Sequence, residues 1–274
     1  MNSYFSRKKL VFFFTLSVFS FFLFLPEASA ARIQKRDILS SVVQIITINA
    51  TGDAAIGSGS TINGDGLILT NHHVVTDKST GELATGISIC YTVSQFKLPR
   101  CIATAKVIAT NKEFDLALIV PDKKLGKNGS PTSTSFKEYW KKSGKKFFSI
   151  PFRNGKNFAL PEILDRITVW GYPSVGGSTI TVTSGFVSGF NVVEEGEDSL
   201  VKFIKTDTAI NPGNSGGAAF DKKLSFIGIP SNAWPGQMGF VIPLQTAVEW
   251  FKALDAQKII DIGSIDSMGT YLEK

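Results

Sequence analysis

Residues 211–217 have the sequence Asn-Pro-Gly-Asn-Ser-Gly-Gly, a glycine-rich turn with one hydroxyl near its centre. The turn follows an apolar and Thr-rich run that is typical of a β-strand. Its three glycines permit positive φ angles and close approach of other atoms. Backbone N–H groups in such a turn can converge on a point where negative charge develops. Ser215 is therefore a candidate nucleophile, and it needs a base to activate it.

The whole chain contains two histidines, and they are neighbours, His72 and His73. Adjacent side chains point in different directions, so at most one of them is expected to face a given site. A polar surface turn is the simpler interpretation of this pair. No other imidazole, however, is available as a base for Ser215. Asp115, at the start of the apolar run 116–120, can orient a histidine or merely cap the strand, and both interpretations stay open.

The composition is that of a globular protein. The chain has 274 residues, of which 43% are hydrophobic and 19% are charged. Its net charge is +6, and the four charged residues among 1–30 account for two units of it. A balance this small, without an arginine-rich run, does not favour nucleic acid as a partner. The chain is long enough for one domain of two lobes or for two small domains.

Residues 1–30 have the pattern of a secretory signal peptide. A basic group at 7–9 precedes an uncharged apolar run at 10–25, and Ala28-Ser29-Ala30 fits a cleavage site. The run is shorter than the roughly 20 residues of a membrane-spanning helix. We therefore expect a secreted or periplasmic protein without stable membrane insertion after cleavage. An uncleaved membrane anchor is the alternative.

The cysteine count also fits an exported protein. Cys90 and Cys101 lie in neighbouring strand-like segments, which favours a disulfide over a pair of free thiols. Cysteine and histidine are too few for a structural zinc site. No metal is expected.

Short strand-like runs with frequent turn residues indicate a β-barrel or sandwich. We expect the chain to divide into a first β-rich block at about 38–120, a linker at 121–160 with a short helix at 136–142, and a second β-rich block with a terminal helix at 161–258. Residues 259–274 form a tail. After Pro243, apolar residues at helical spacing predict one amphipathic helix of three to four turns.

Three motifs in this order resemble the chymotrypsin-fold serine proteases, and most closely the HtrA/Deg group. They are residues 70–75 (TNHHVV), 115–119 (DLALI) and 206–217 (TDTAINPGNSGG). Residues 57–59 and 239–243 add further matches, so that the resemblance covers about 38–258. It implies an all-β fold of two six-stranded antiparallel β-barrels with a C-terminal α-helix. No PDZ domain is expected after the protease domain, 31–258, which favours a monomer or small oligomer.

The resemblance also implies a role for each motif residue. His73 corresponds to the base, Asp115 to the carboxylate that orients it, and Ser215 to the nucleophile. The N–H groups of Gly213 and Ser215 correspond to the oxyanion hole, with Asn214 between them. The implied activity is that of a serine endopeptidase, which cleaves protein or peptide substrates, including unfolded ones, through an acyl-enzyme and without a cofactor.

The resemblance places four residues at the primary specificity pocket, namely Ala209, Ile210, Ile229 and Pro230. None of them is charged, so we expect cleavage after small or medium apolar side chains. The neutral Asn214 also argues against activation by pairing with a newly cut N-terminus. A protease-like module that binds proteins without cleaving them is the alternative function.

Overall fold

A computed structural model describes residues 35–145, 147–150, 160–177, 179–195, 198–234 and 238–265. The predicted signal peptide, 1–30, and most of the predicted tail, 259–274, lie outside the described residues. The described part contains the α-helices α1 (Lys35–Ser41), α2 (Phe136–Lys142) and α3 (Leu244–Ala256), with 3₁₀ helices at His72–Val74 and Ile262–Ser264. Its strands are β1 (Val42–Ile48), β2 (Ala54–Thr61), β3 (Ile68–Thr70), β4 (Gly86–Tyr91), β5 (Arg100–Asn111), β6 (Leu116–Leu125), β7 (Pro131–Ser135), β8 (Arg166–Gly171), β9 (Thr181–Glu195), β10 (Asp198–Thr206), β11 (Ala218–Asp221), β12 (Phe226–Trp234) and β13 (Met238–Pro243).

The first six strands form an antiparallel barrel. They pair in the order β3-β2-β1-β4-β5-β6, and β3 also pairs with β6, which closes the sheet. Closure leaves no free edge among these six strands. Glycine is needed where β2 crosses the barrel interior, because a Cβ on Gly59 would lie 2.6 Å from the side chain of Ile68.

The second barrel is also six-stranded, antiparallel and closed, in the order β10-β13-β12-β11-β8-β9. Its interior is filled by branched apolar side chains that alternate along the strands, as in Ile167 and Val169 of β8. The predicted fold of two six-stranded barrels with a C-terminal helix is therefore confirmed. This is a chymotrypsin-like architecture.

Helix α3 follows β13 directly and spans 13 residues, in agreement with the predicted three to four turns. The six apolar residues at helical spacing are all buried: Leu244, Ala247, Val248, Trp250, Phe251 and Leu254. They belong to the same hydrophobic cluster as Leu69 and Leu116 of the first barrel and Phe220 of the second. A continuous hydrophobic core thus joins the two barrels.

The segment predicted as a linker, 121–160, is more structured than expected. Strand β6 continues to Leu125, and β7 pairs with it. Helix α2 has the predicted bounds and buries Phe136 against the first barrel. Aromatic residues of this segment cover one end of the first barrel. Helix α1 was not expected, and its Ile38 is fully buried.

A disulfide joins Cys90 and Cys101, which are paired residues of β4 and β5. This confirms the predicted cross-strand bond. Among the described helices, none combines the length and apolarity that crossing a membrane requires.

Candidate active site

His73 lies in the short 3₁₀ helix that follows β3. Val74 and Val75, next along the chain, are buried and anchor this turn to the first barrel. Their packing requires glycine in β2, because a Cβ on Gly57 would lie 2.5 Å from Cγ1 of Val74. The neighbour His72 has a different environment. Its Nδ1 is buried without a hydrogen-bond partner among the described residues, and burial lowers the pKa of His72.

The carboxylate of Asp115 holds the imidazole of His73. Nδ1 of His73 lies 2.8 Å from Oδ2 and 3.0 Å from Oδ1 of Asp115, and the backbone N–H of His73 donates to Oδ1. Asp115 has a φ of +53°, a conformation that aspartate tolerates better than most residues. The Asn71 amide donates to its carbonyl oxygen over 2.8 Å. Hydrogen bonds to the carboxylate and to the backbone carbonyl therefore hold Asp115 in place.

Ser231 of β12 supplies a further donor to this carboxylate, with its Oγ 2.7 Å from Oδ2 of Asp115. Burial opposes ionisation of Asp115. The hydrogen bonds and charge of His73, together with the Ser231 hydroxyl, outweigh burial and hold the pKa of Asp115 below its ordinary value. Ser231 was not among the predicted site residues, since a serine in a strand carries no local signal of such a long-range contact.

Ser215 lies in the glycine-rich turn, residues 211–217, which connects β10 to β11. The turn depends on Gly213 and Gly216, whose φ angles are +99° and +83°. A Cβ on Gly216 would overlap the carbonyl oxygen of Ser58, and one on Gly213 would overlap that of Tyr172. The hydroxyl of Ser215 donates to the carbonyl oxygen of Ser231 over 2.5 Å. Transfer of its proton to His73 thus requires a rotation about χ1, a fast and inexpensive movement for a side chain.

Ser58 of β2 connects the two barrels at this turn. Its backbone N–H donates to the Ser215 carbonyl over 2.9 Å, and its Oγ donates to the Gly213 carbonyl over 2.6 Å. The same Oγ accepts the Tyr172 N–H at 2.9 Å. The sequence predicted no role for Ser58, which was noted only as part of the segment 57–59 that resembles the protease family. A long-range contact of this kind leaves no local pattern in the sequence.

The backbone N–H groups of the glycine-rich turn differ in their hydrogen bonding. Within the described residues, the N–H groups of Gly213 and Ser215 have no hydrogen-bond acceptor, whereas the Asn214 N–H donates to Asn211 over 2.9 Å. The Pro212 carbonyl accepts from the N–H of Ser174 at 2.8 Å. This contact directs the carbonyl toward Ser174 and determines the orientation of the following peptide N–H. The turn can thus offer two donors to an oxyanion, and Asn214 contributes no N–H to it.

The side chain of Asn214 is buried, and both polar atoms of its amide lack a partner among the described residues. An unpartnered buried amide costs about 1–3 kcal/mol.

These side chains meet in one cleft of about 540 Å³. Its walls include His73, Asp115, Ser215 and Ser231, together with the backbone of Gly213. Of the four residues assigned to the specificity pocket, not all line this cleft. Ile210 lines the cleft, but Ile229 lies in the hydrophobic core and Ala209 is exposed. Pro230 accepts a hydrogen bond from the Gly216 N–H through its carbonyl oxygen.

The sequence has relatives among named proteases. It is 34% identical over 209 residues to a protein of Ectopseudomonas mendocina (strain ymp) named "Probable periplasmic serine endoprotease DegP-like", covering 74% of this chain and 35% of that protein. It is 30% identical over 234 residues to Protease Do-like 2, chloroplastic, of Arabidopsis thaliana, covering 79% of this chain and 33% of that protein. The chain spans about a third of the length of these relatives.

Residues 57–229 match the trypsin-like peptidase domain. This range contains the histidine turn, the carboxylate and the glycine-rich turn, and it includes most of both barrels. The chain therefore belongs to the trypsin-like peptidase domain family.

Proposed function

We propose that this protein is a serine endopeptidase in which Ser215 attacks the peptide carbonyl, His73 accepts its proton, and Asp115 orients and stabilises the imidazolium. One observation carries the proposal. The glycine-rich turn with two unpartnered N–H donors and the bonded His73–Asp115 pair line the same cleft. A base, a nucleophile and an oxyanion site are the three components that acyl transfer needs.

The first step is nucleophilic attack with general-base help. The Ser215 hydroxyl rotates from the Ser231 carbonyl toward His73, which takes its proton as the Oγ–carbon bond forms. The negative charge that develops on the substrate oxygen is stabilised by the N–H groups of Gly213 and Ser215. His73 then gives the proton to the leaving amine, and water hydrolyses the acyl-enzyme by the same sequence of steps.

We propose that small or medium apolar side chains precede the scissile bond. Support comes from Ile210, which is 6% exposed and lines the cleft beside the glycine-rich turn. A Cβ on Gly239 would lie 2.8 Å from Cδ1 of Ile210, so the space between these residues is narrow. Cleavage-site profiling with a peptide library tests this preference. Predominant cleavage after Lys, Arg or Glu would contradict it.

Covalent labelling with a fluorophosphonate tests the activity itself. We expect stoichiometric labelling of the native protein and none of Ser215→Ala. The variant Ser143→Ala is the matched control, since it removes an exposed hydroxyl at the end of α2. Absence of labelling on the folded native protein would instead support the alternative, a protease-like module that binds proteins without cleaving them.

We propose further that the protein is exported, either periplasmic or secreted. This location is supported by the pattern of residues 1–30 and by the similarity to the probable periplasmic serine endoprotease of Ectopseudomonas mendocina (strain ymp). N-terminal sequencing of the protein recovered outside the cytoplasm tests it. A mature chain that begins at Ala31 is expected, whereas an intact leader in a membrane fraction would indicate an anchor.

A further inference from the structure

A second cavity, of about 310 Å³, lies at one end of the first barrel. Its walls come from the end of α1, the adjoining ends of β4 and β5, helix α2, and the residues Lys145, Phe147 and Phe148. Among the described residues, it shares no lining residue with the catalytic cleft. Its volume is at the lower end of the range for small-molecule sites.

Aromatic rings dominate these walls. The rings of Tyr91 and Trp140 have centroids 5.7 Å apart, and those of Trp140 and Phe147 are stacked with centroids 4.7 Å apart. Tyr139 and Phe148 complete the aromatic lining, and Phe148 remains half exposed. Flat rings of this kind offer a large apolar contact area to an aromatic or alkyl group.

Two polar atoms of the aromatic lining residues have no hydrogen-bond partner within the described residues. Tyr91 is only 7% exposed, and its hydroxyl makes no hydrogen bond within the described part of the chain. The same holds for Nε1 of Trp140. Burial raises the pKa of Tyr91, so its phenol keeps its proton and remains a donor. Both atoms are closed to solvent, so a ligand would reach them only after a shift of the surrounding side chains.

The charged lining residues are cations. Arg100 and Lys145 both line the cavity, and none of its described lining residues is acidic. The Lys145 ammonium lies 5.8 Å from the centroid of the Trp140 ring. Neither cation forms an ion pair with a carboxylate in the described segments. The surroundings therefore favour an anionic group next to an apolar body.

We infer that this cavity is a binding site for a small carboxylic acid with an aromatic or alkyl body. The body would lie against the rings of Tyr91, Trp140 and Phe147. The carboxylate would pair with Arg100 or Lys145, which line the cavity. This ligand differs in class from the polypeptide substrate of the catalytic cleft, so the inference does not depend on the proposed peptidase activity.

Isothermal titration of the full chain with 4-phenylbutanoate tests the inference, with 4-phenylbutan-1-ol as the neutral analogue of the same shape. We expect one site per chain with a dissociation constant of about 10–100 µM for the acid. The alcohol should bind about tenfold more weakly or worse, because it forms no ion pair. Protein already labelled at Ser215 should bind the acid equally well.

Three variants locate the site. Arg100→Gln combined with Lys145→Gln should reduce the affinity for the acid to that for the alcohol. Lys112→Gln, which removes a cation from the catalytic cleft, is the matched control and should leave both affinities unchanged. Ile102→Trp should fill the cavity and abolish binding of both ligands. If Ile102→Trp does not fold, the double variant of Arg100 and Lys145 still tests the inference, because both side chains are exposed.

Equal affinities for acid and alcohol in the native protein would overturn the inference. So would an unchanged affinity for the acid in the Arg100 and Lys145 double variant. Absence of any heat of binding at millimolar 4-phenylbutanoate would overturn it as well.

Discussion

The two halves of the proposed catalytic cleft are held in place by different means. In the first barrel, His73 and Asp115 are positioned by side-chain hydrogen bonds, with three contacts between these two residues. In the second barrel, the turn around Ser215 is positioned by its backbone, through glycines with positive φ and close contacts to neighbouring carbonyl groups. Changes to side chains should therefore impair chemistry in the first half. Changes to glycine should impair folding in the second half.

The largest effect is expected from the base. His73→Ala should lower kcat/KM on a peptide substrate by about 10⁵–10⁶-fold, because no other group can accept the Ser215 proton. His72→Ala is the matched control and should change it by about twofold at most, since the Nδ1 of His72 has no partner among the described residues. Comparable losses in the two variants would contradict the assignment of His73.

The next largest effect is expected from the carboxylate. Asp115→Asn should lower kcat/KM by about 10⁴-fold, because an amide preserves the shape but neither stabilises the imidazolium nor enforces the tautomer. Asp122→Asn, which removes a surface ion pair with Lys106, should have no measurable effect. A loss of less than about tenfold for Asp115→Asn would remove Asp115 from the mechanism.

Glycine changes test the other half of the comparison. Gly216→Ala should lower the free energy of unfolding by about 3 kcal/mol or more, because the new methyl group meets the Ser58 carbonyl and φ is +83°. Gly176→Ala has a similar φ of +93° but open space around it, so it should cost only about 1–2 kcal/mol. Urea unfolding measures both. Equal costs would show that backbone strain, rather than the close contact, determines the requirement for glycine.

The smallest effect is expected from Ser231, where the halves meet. Ser231→Ala should lower kcat/KM by about tenfold, the value of one hydrogen bond to a charged group. It removes a donor that lowers the pKa of Asp115, so the pKa of this carboxyl should rise, as measured by an NMR titration of its carbon resonance. Ser184→Ala, on the exposed side of β9, is the control. An unchanged pKa of Asp115 would show that Ser231 does not act through this carboxylate.

Much of this fold was predictable because its signals are local or follow ordered motifs. The terminal helix followed from apolar spacing after Pro243, and all six predicted residues are buried. The cross-strand disulfide followed from two cysteines in adjacent strand-like segments. Aromatic residues of the segment 121–160 pack on the end of the first barrel, against residues distant in the sequence such as Tyr91. No local pattern indicated that contact.

The order of the three motifs and the restriction of the candidate base to two neighbouring imidazoles can be read from the sequence. The two barrels and the choice of His73 followed from the resemblance to the chymotrypsin-fold serine proteases. Which atoms meet depends on the tertiary structure. It brought Ser58 to the Gly213 carbonyl across 155 residues and Ser231 to Asp115 across 116. It also separated Ile210, which reaches the cleft, from Ile229, which lies in the core. Contacts between distant segments depend on how two closed barrels pack together, and no local periodicity records that packing.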